Sequence, residues 1–236
     1  MQKIHELWKN SIILIEERIM EKIDLFFEKL NNIIPGRIFG LLSITIGILG
    51  DIIAYLMFPG YNLLKMAVSD LCLGPGGIFF NIGNTFSGIF ALIFVNTLIR
   101  TFNKEYINIK LRKIGIICAN ISCISFIFLG LFCGSNIIIQ YIHGTAAIIS
   151  WTFGYSYLTF YNILMLKDNN YSNKLALFGF IITIPLVLLM AFFFLSYIPV
   201  LRDFLLDMLA PLEWFNTISI IIWYFSVSTY MIFKKF

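Results

Sequence analysis

The segment Phe58–Gly88 reads FPGYNLLKMAVSDLCLGPGGIFFNIGNTFSG and joins two long apolar stretches of the chain. Its Gly-Pro-Gly-Gly run at residues 74–77 cannot be helical throughout, and it therefore fixes a turn. The segment also gathers four polar side chains within surroundings too apolar for a water-soluble protein: Ser69, Asp70, Asn81 and Asn84. This pattern predicts two membrane helices joined by a loop, with a candidate site where they meet.

The composition predicts a membrane protein built of helices. Of the 236 residues, 59% are hydrophobic and 13% are charged, against about 25% charged in soluble domains. A helix needs about 20 apolar residues to cross a bilayer, and the stretches lack the alternation of barrel strands. We therefore expect an all-α polytopic membrane protein, a six-helix bundle over residues 36–236. Its six spans are predicted near Ile38–Phe58, Gly77–Ile99, Ile114–Phe132, Ile137–Leu166, Leu175–Tyr197 and Leu212–Phe233.

The distribution of Lys and Arg predicts the orientation of the bundle. Cytoplasmic loops retain these residues, and 15 of the 17 fall on one side when the N-terminus is inside. Only Lys65 and Arg202 then lie outside. Both termini are therefore predicted to be cytoplasmic, in a multi-pass protein of the cell membrane. No basic patch is interleaved with aromatic residues, so we expect no nucleic-acid partner.

Residues 1–35 predict an amphipathic helix in front of the bundle. Apolar residues recur there at spacings of three and four, from Ile4 to Ile33, and the other positions carry mixed charge. Such a helix lies on the inner membrane surface. The alternative is a coiled-coil helix that binds a protein partner, and the oligomeric state stays open.

The four cysteines leave two interpretations open. Cys118 and Cys123 lie within the third predicted span, and their spacing of five places them on different faces. Cys72 and Cys133 both fall on the outer side of the predicted topology. They form a disulfide if that side is oxidising; otherwise they are small apolar packing residues.

Polar residues of several predicted helices converge on the outer half of the bundle. Ionisable residues within spans are functional-site hypotheses by default. We therefore predict a pocket that recognises a membrane lipid or another amphiphile, with the two asparagines donating hydrogen bonds to its head group. The predicted ligand-binding residues are Asp51, Asn81, Asn84 and Glu213.

Two other function classes remain open. A lipid hydrolase or acyl transferase would use His143 as general base, with Ser69 as nucleophile and Asp51 or Asp70 as the acidic partner. A channel or transporter would need a polar line that continues to the cytoplasm through Asn96 and Asn120. Each polar residue also has a structural explanation, such as packing for His143.

Metal and cofactor chemistry is not predicted. A zinc hydrolase needs about three ligands, whereas His5 and His143 are the only histidines and His5 lies at the cytoplasmic end. The chain also lacks a Walker loop, a dinucleotide fingerprint and a GxSxG elbow.

The opening segment resembles the signature of an uncharacterised bacterial and archaeal membrane family, catalogued as domain of unknown function 998. The matching features are Pro-Gly-Tyr at 59–61, Ser-Asp-Leu at 69–71, an Asn followed by Gly in the second span, and His143. Cys72 departs from the pattern, which has Gly there. The resemblance covers Gly36 to Phe233 and implies six spans without implying an activity. The family is more distantly similar to the DRAM/FRAG/Sfk membrane proteins, which are connected with lipid and lipid-anchor remodelling.

Overall fold

The computed structural model describes Lys22 and residues 25–103 and 108–236. Residues 37–236 form a unit of their own, and the segment before them is a separate unit. Most of the predicted amphipathic helix lies outside the described residues. Of that segment, residues 25–33 are described as helical.

The regular structure of the described residues is entirely helical, which confirms the all-α class. Seven α-helices and one 3₁₀ helix follow the separate N-terminal segment. In chain order they are α1 (Gly36–Leu56), the 3₁₀ helix Val68–Leu73, α2 (Gly77–Thr101), α3 (Ile109–Leu131), α4 (Ile137–Lys167), α5 (Asn173–Ile182), α6 (Ile184–Leu195) and α7 (Arg202–Lys234).

Five helices of the described chain are long and apolar enough to cross a membrane: α1, α2, α3, the combined α5–α6 segment and α7. They are compatible with a multi-pass integral membrane protein. The predicted fourth span corresponds to α4, whose 31 residues extend about 46 Å at 1.5 Å per residue. Because α4 is not among the five, a sixth crossing stays a prediction.

The helices pass back and forth through one bundle. Ser122 Oγ of α3 donates to the Ser150 carbonyl of α4 at 3.0 Å, which packs these two helices side by side. Arg37 at the start of α1 donates to the carbonyl oxygen of Phe236, just after α7. The beginning and the end of the bundle therefore lie at the same face.

Two prolines affect the helices differently. Pro185 lies in the first turn of α6, directly after the break between α5 and α6 at Thr183. The last span was predicted to start near Leu212, directly after Pro211, and this start is wrong because α7 begins at Arg202 and holds Pro211 inside it. Pro211 removes one backbone donor, and neighbouring helices in a membrane bundle compensate for such a loss.

Small residues allow α1 and α2 to pack closely. A Cβ atom on Gly50 would lie 2.7 Å from the Phe79 carbonyl oxygen and 2.9 Å from the Gly83 Cα. A Cβ atom on Gly47 would lie 3.2 Å from Ser87 Oγ. This contact brings the polar residues of α1 and α2 to a shared surface.

Candidate functional site

A cavity of about 130 Å³ lies in the middle of the bundle. It is lined by α1, the 3₁₀ helix, α2, α3, α4, α6 and α7, and most of its lining side chains are apolar. A buried water needs about 10–15 Å³ of such space. The cavity is therefore large enough for several waters, or for a polar group with part of an apolar chain.

Four of the predicted site residues line the cavity at the end covered by the 3₁₀ helix, here called the loop end: Asp51, Ser69, Asn84 and Glu213. Asn84 Nδ2 donates to Asp51 Oδ1 at 3.3 Å and to the Phe80 carbonyl at 3.0 Å. Ser69 Oγ donates to Glu213 Oε2 at 3.5 Å. Residues from four separate segments thus meet at one place, and each carboxylate has one side-chain donor.

The cavity wall offers no cationic partner to its two acidic side chains. Asp51 and Glu213 line the cavity, whereas its lining holds no Lys, Arg or His side chain. Within the described chain, no group of three or more His, Cys, Asp or Glu residues is arranged to hold a metal ion. The two carboxylates therefore face the cavity without a cationic partner in its wall.

Asn216 adds an unsatisfied group to the same wall. It follows Glu213 by about one turn of α7, lines the cavity and is only 4% exposed. Its Oδ1 is buried and has no hydrogen-bond partner. A buried polar atom without a partner costs about 1–3 kcal/mol. The unpartnered oxygen has almost no accessible surface, so it does not face the open space of the cavity.

The deeper end of the cavity carries hydroxyl groups that the sequence interpretation did not use. Ser43 Oγ donates to the Ser87 carbonyl at 2.9 Å, and the hydroxyls of Tyr157 and Tyr224 lie 3.1 Å apart. Ser43 precedes Asp51 by eight residues, or roughly 12 Å along a helix. Serine within a span is weakly polar, but its place on the glycine face of α1 was an available signal.

The other predicted site residues do not line the cavity. His143 Nδ1 lies 3.1 Å from the Leu129 carbonyl oxygen, and the hydrogen bonds of the described residues include none between His143 and Ser69 or a carboxylate. Asp70 Oδ2 accepts from the Ala67 N–H at 2.8 Å. Catalysis by His143, Ser69 and Asp70 stays a prediction.

Asn81 lies one turn from Asn84 but has different neighbours. Its Nδ2 donates to the Cys133 carbonyl at 3.2 Å, and its Oδ1 is buried without a partner. The cavity lining does not include Asn81. Its predicted role in ligand binding stays a prediction.

The loop end is covered by a hydrogen-bonded aromatic pair. Trp214 Nε1 donates to the Tyr61 hydroxyl at 3.2 Å and to the Met66 carbonyl at 3.1 Å. The Tyr61 hydroxyl donates to the Ala67 carbonyl. Burial raises the pKa of Tyr61 well above its ordinary value, and the negative charges of Asp70 and Glu213 raise it further. Tyr61 therefore stays neutral and keeps its proton for this hydrogen bond.

A disulfide between Cys72 and Cys133 fixes the same loop, with Cα atoms 5.9 Å apart. The sequence left two interpretations of Cys72 and Cys133 open, and the structure contains the disulfide. It ties the 3₁₀ helix to the end of α3. Leu71, beside it, is fully buried against Ala54 and Phe80. Cys118 and Cys123 are free and buried.

The polar residues near the opposite end pair with each other. Asn96 Nδ2 of α2 donates to Asn120 Oδ1 of α3. Neither asparagine is part of the cavity lining. The continuous polar line that a channel would need stays a prediction.

Comparison of the chain with protein-family models, with curated proteins and with solved structures gives no match. The resemblance to the domain-of-unknown-function family therefore stays an expectation.

Proposed function

We propose that the chain is an integral membrane protein whose outward-facing cavity recognises a lipid or another amphiphile. One observation carries this proposal: Asp51, Ser69, Asn84 and Glu213 come from separate segments and line a single cavity whose surface is mostly apolar. A carboxylate within a span costs at least about 2.5 kcal/mol on insertion scales. Two of them facing one cavity are best explained by a ligand that uses them.

Two independent features support the outward orientation of the loop end. The positive-inside rule assigns the loops around Lys65 and Arg202 to the outside. The Cys72–Cys133 disulfide lies in the same region, and disulfides persist in oxidising, extracytoplasmic compartments. In this orientation α4 is the sixth crossing, and the cavity faces the outer half of the bilayer.

The distribution of side chains along the cavity fits an amphiphile. Its polar head is placed at the loop end, near Asp51 and Glu213, and its apolar tail continues along side chains such as Ile48, Phe126 and Ile220. Binding sites of this kind are mostly apolar, with a few placed polar groups that fix orientation. The cover of Tyr61 and Trp214 then lies over the head group.

The geometry supports binding better than it supports the alternatives. A hydrolase or acyl transferase needs a base beside its nucleophile, whereas the hydrogen bond of His143 goes to the Leu129 carbonyl. A channel needs polar groups along its path, whereas Asn96 bonds to Asn120 away from the cavity. The membrane lipid is therefore proposed as a ligand rather than as a substrate.

The test compares two identical substitutions on one helix. Asn84→Leu fills the loop end of the cavity and removes a donor, whereas Asn81→Leu makes the same change one turn away, outside the cavity. We expect native mass spectrometry to find lipid bound to the wild-type protein and to Asn81→Leu, and at least tenfold less on Asn84→Leu. The substitution removes the hydrogen bond that positions the Asp51 carboxylate, and a hydrogen bond to a charged group contributes about 1.5–3 kcal/mol. Wild-type protein without bound lipid, or equal retention by both variants, would contradict the proposal.

A further inference from the structure

The cavity is too small to enclose a whole lipid. Its volume is about 130 Å³, and a buried water needs about 10–15 Å³ of such space, so there is room for roughly ten water-sized groups. A lipid with a long acyl chain is several times larger. Part of such a chain must therefore leave the cavity through an opening in its wall, and the position of that opening decides how a ligand enters.

The cavity wall reaches the surface of the bundle where α1 and α7 border it. Ile44 and Ile48 of α1 line the cavity and are partly exposed. The same is true of Thr217, Ile220 and Ile221 on α7. Within each helix these positions are three or four residues apart and therefore share one flank. We call these five positions the α1–α7 seam, and four of the five side chains are apolar.

Contacts hold α1 and α7 together on both sides of this seam. Towards the chain ends, a Cβ atom on Gly40 would overlap Ser228 Oγ, so the two helices touch there. Towards the loop end, Trp214 of α7 donates a hydrogen bond to the hydroxyl of Tyr61, which follows α1. The α1–α7 seam is therefore a limited stretch between two contacts rather than a separation of the whole helices.

The two carboxylates border the seam at its loop end. Asp51 follows Ile48 by three residues on α1, and Glu213 precedes Thr217 by four residues on α7. Both acidic residues are partly exposed and line the cavity. A head group that passes through the α1–α7 seam would therefore meet the polar end of the cavity, while its chain would stay beside the apolar positions.

The wall is closed on its other sides. The lining residues of α2 and α6 are buried, as Phe80 illustrates at 2% exposure. Phe126 of α3 and Trp151 of α4 line the cavity and are partly exposed, but both pack against the buried cluster that contains Leu129. The α1–α7 seam is therefore the stretch of apolar lining that faces outward without such cover.

We infer that the ligand enters the cavity sideways from the bilayer, through the α1–α7 seam. This inference rests on the proposed function and specifies the source of its ligand, which is an amphiphile dissolved in the membrane rather than one dissolved in water. The apolar rim of the seam suits an acyl chain, and the chain remains in contact with the bilayer while the head group is inside. The cover formed by Tyr61 and Trp214 stays closed during entry.

The experiment measures how fast two thiol reagents reach Cys123, which lines the cavity on α3 and is only 3% exposed. Phenylmercury dissolves in the bilayer, whereas p-chloromercuribenzenesulfonate carries the same reactive group on a charged, water-soluble ring. The full-length protein carries Cys118→Ala, so that Cys123 is its remaining free cysteine. It is reacted in phosphatidylcholine nanodiscs, and the modified fraction is counted by intact mass.

We expect phenylmercury to modify Cys123 at least tenfold faster than the sulfonate does, after both rates are normalised to their reaction with the unfolded protein. Equal normalised rates, or a faster reaction of the sulfonate, would show entry from water and overturn the inference. A Cys123 that reacts with neither reagent would also overturn it, because an open seam admits the bilayer-soluble reagent to this cavity.

Tryptophan substitutions test whether the α1–α7 seam is the route. Ile48→Trp and Ile221→Trp each place a large ring at the seam and should slow the phenylmercury reaction at least tenfold. Leu49→Trp and Ile222→Trp are the matched controls, because these neighbouring residues are exposed and do not line the cavity. Unchanged rates in both seam variants would overturn the inference, and so would equal slowing in the controls.

Trp214→Phe tests the alternative route through the loop end. This substitution removes the two hydrogen bonds that the indole donates, to the Tyr61 hydroxyl and to the Met66 carbonyl. Entry through the seam predicts an unchanged phenylmercury rate. A rate that rises tenfold would identify the cover as the entrance and overturn the inference.

The lipid measurement on Asn84→Leu separates failure of the route from failure of the proposed function. If Asn84→Leu loses bound lipid but the seam variants react like their parent, the cavity binds lipid and only the route is wrong. If the seam variants slow the reaction but the wild-type protein carries no lipid, the route is correct and the proposed ligand is wrong.

Discussion

Gly50 shows how much the loop end depends on a single missing side chain. A Cβ atom there would meet only backbone, the Phe79 carbonyl oxygen at 2.7 Å and the Gly83 Cα at 2.9 Å. Backbone atoms of packed helices cannot move aside as a flexible side chain can. Gly50 also precedes Asp51 directly, so the close contact of α1 with α2 positions Asp51 against Asn84.

We predict that Gly50→Ala destabilises the protein by about 1–3 kcal/mol, the usual cost of overpacking. The matched control is Gly144→Ala on α4, because a Cβ atom at Gly144 would have nothing within 4 Å. That substitution should be neutral or stabilise by up to about 1 kcal/mol. Thermal unfolding of the two purified variants measures the difference, and equal effects would show that α1 and α2 do not pack this closely.

At the level of residues, helical spacing accounts for part of the cavity wall. Glu213, Asn216 and Tyr224 lie at spacings that share one face of α7, and all three line the cavity. Asn81 and Asn84 lie one turn apart on α2, yet only Asn84 lies beside Asp51. Helical phase states which residues share a face, but it does not state which neighbouring helix each of them meets.

At the level of elements, the 3₁₀ helix Val68–Leu73 depends on one covalent tie. Cys72 joins it to Cys133 across 61 residues of chain, and Leu71 anchors it in a small apolar cluster. Ser69, which contacts Glu213, lies on the same short helix. The disulfide therefore positions one wall of the cavity as well as its cover.

We predict that replacing both Cys72 and Cys133 by serine lowers the stability by about 2–4 kcal/mol, the typical contribution of a disulfide. Cys118→Ala is the control, since Cys118 is buried and free, and it should cost about 1 kcal/mol. Alkylation of the denatured wild-type protein, counted by intact mass, tests the bond itself. Only Cys118 and Cys123 should react before reduction and all four cysteines after it; four reacted cysteines before reduction would rule out the disulfide.

The start of α7 shows why element boundaries were harder to predict than elements. Asp203 and Asp207 are exposed charges before Pro211, and the predicted sixth span, near Leu212–Phe233, did not include them. The helix instead continues through all three positions. Hydropathy locates the part of a helix that is apolar, and α7 extends beyond that part.

At the level of the whole molecule, composition was sufficient for the helical class because a span must satisfy its own backbone hydrogen bonds. It was less informative for α4, whose interior carries polar and aromatic residues such as His143 and Tyr157. A helix packed among others needs less hydropathy than one exposed to lipid. The number of crossings therefore depends on where the two ends of α4 lie.

We predict that the ends of α4 lie on opposite sides of the membrane. Single cysteines at two exposed positions test this prediction: Ser135→Cys lies before α4 and Asn169→Cys lies after it. The background protein keeps its disulfide and has Cys118 and Cys123 replaced by alanine. A membrane-impermeant maleimide should label Ser135→Cys on intact cells, and Asn169→Cys only after the membrane is opened. Lys65→Cys, in the loop before the 3₁₀ helix, is the control for the outside and should label with Ser135→Cys. Labelling of both α4 positions from the same side would mean that α4 does not cross the bilayer. Because Arg37 and Phe236 are hydrogen-bonded at one face of the bundle, the chain would then need a different arrangement of crossings to bring its two ends together.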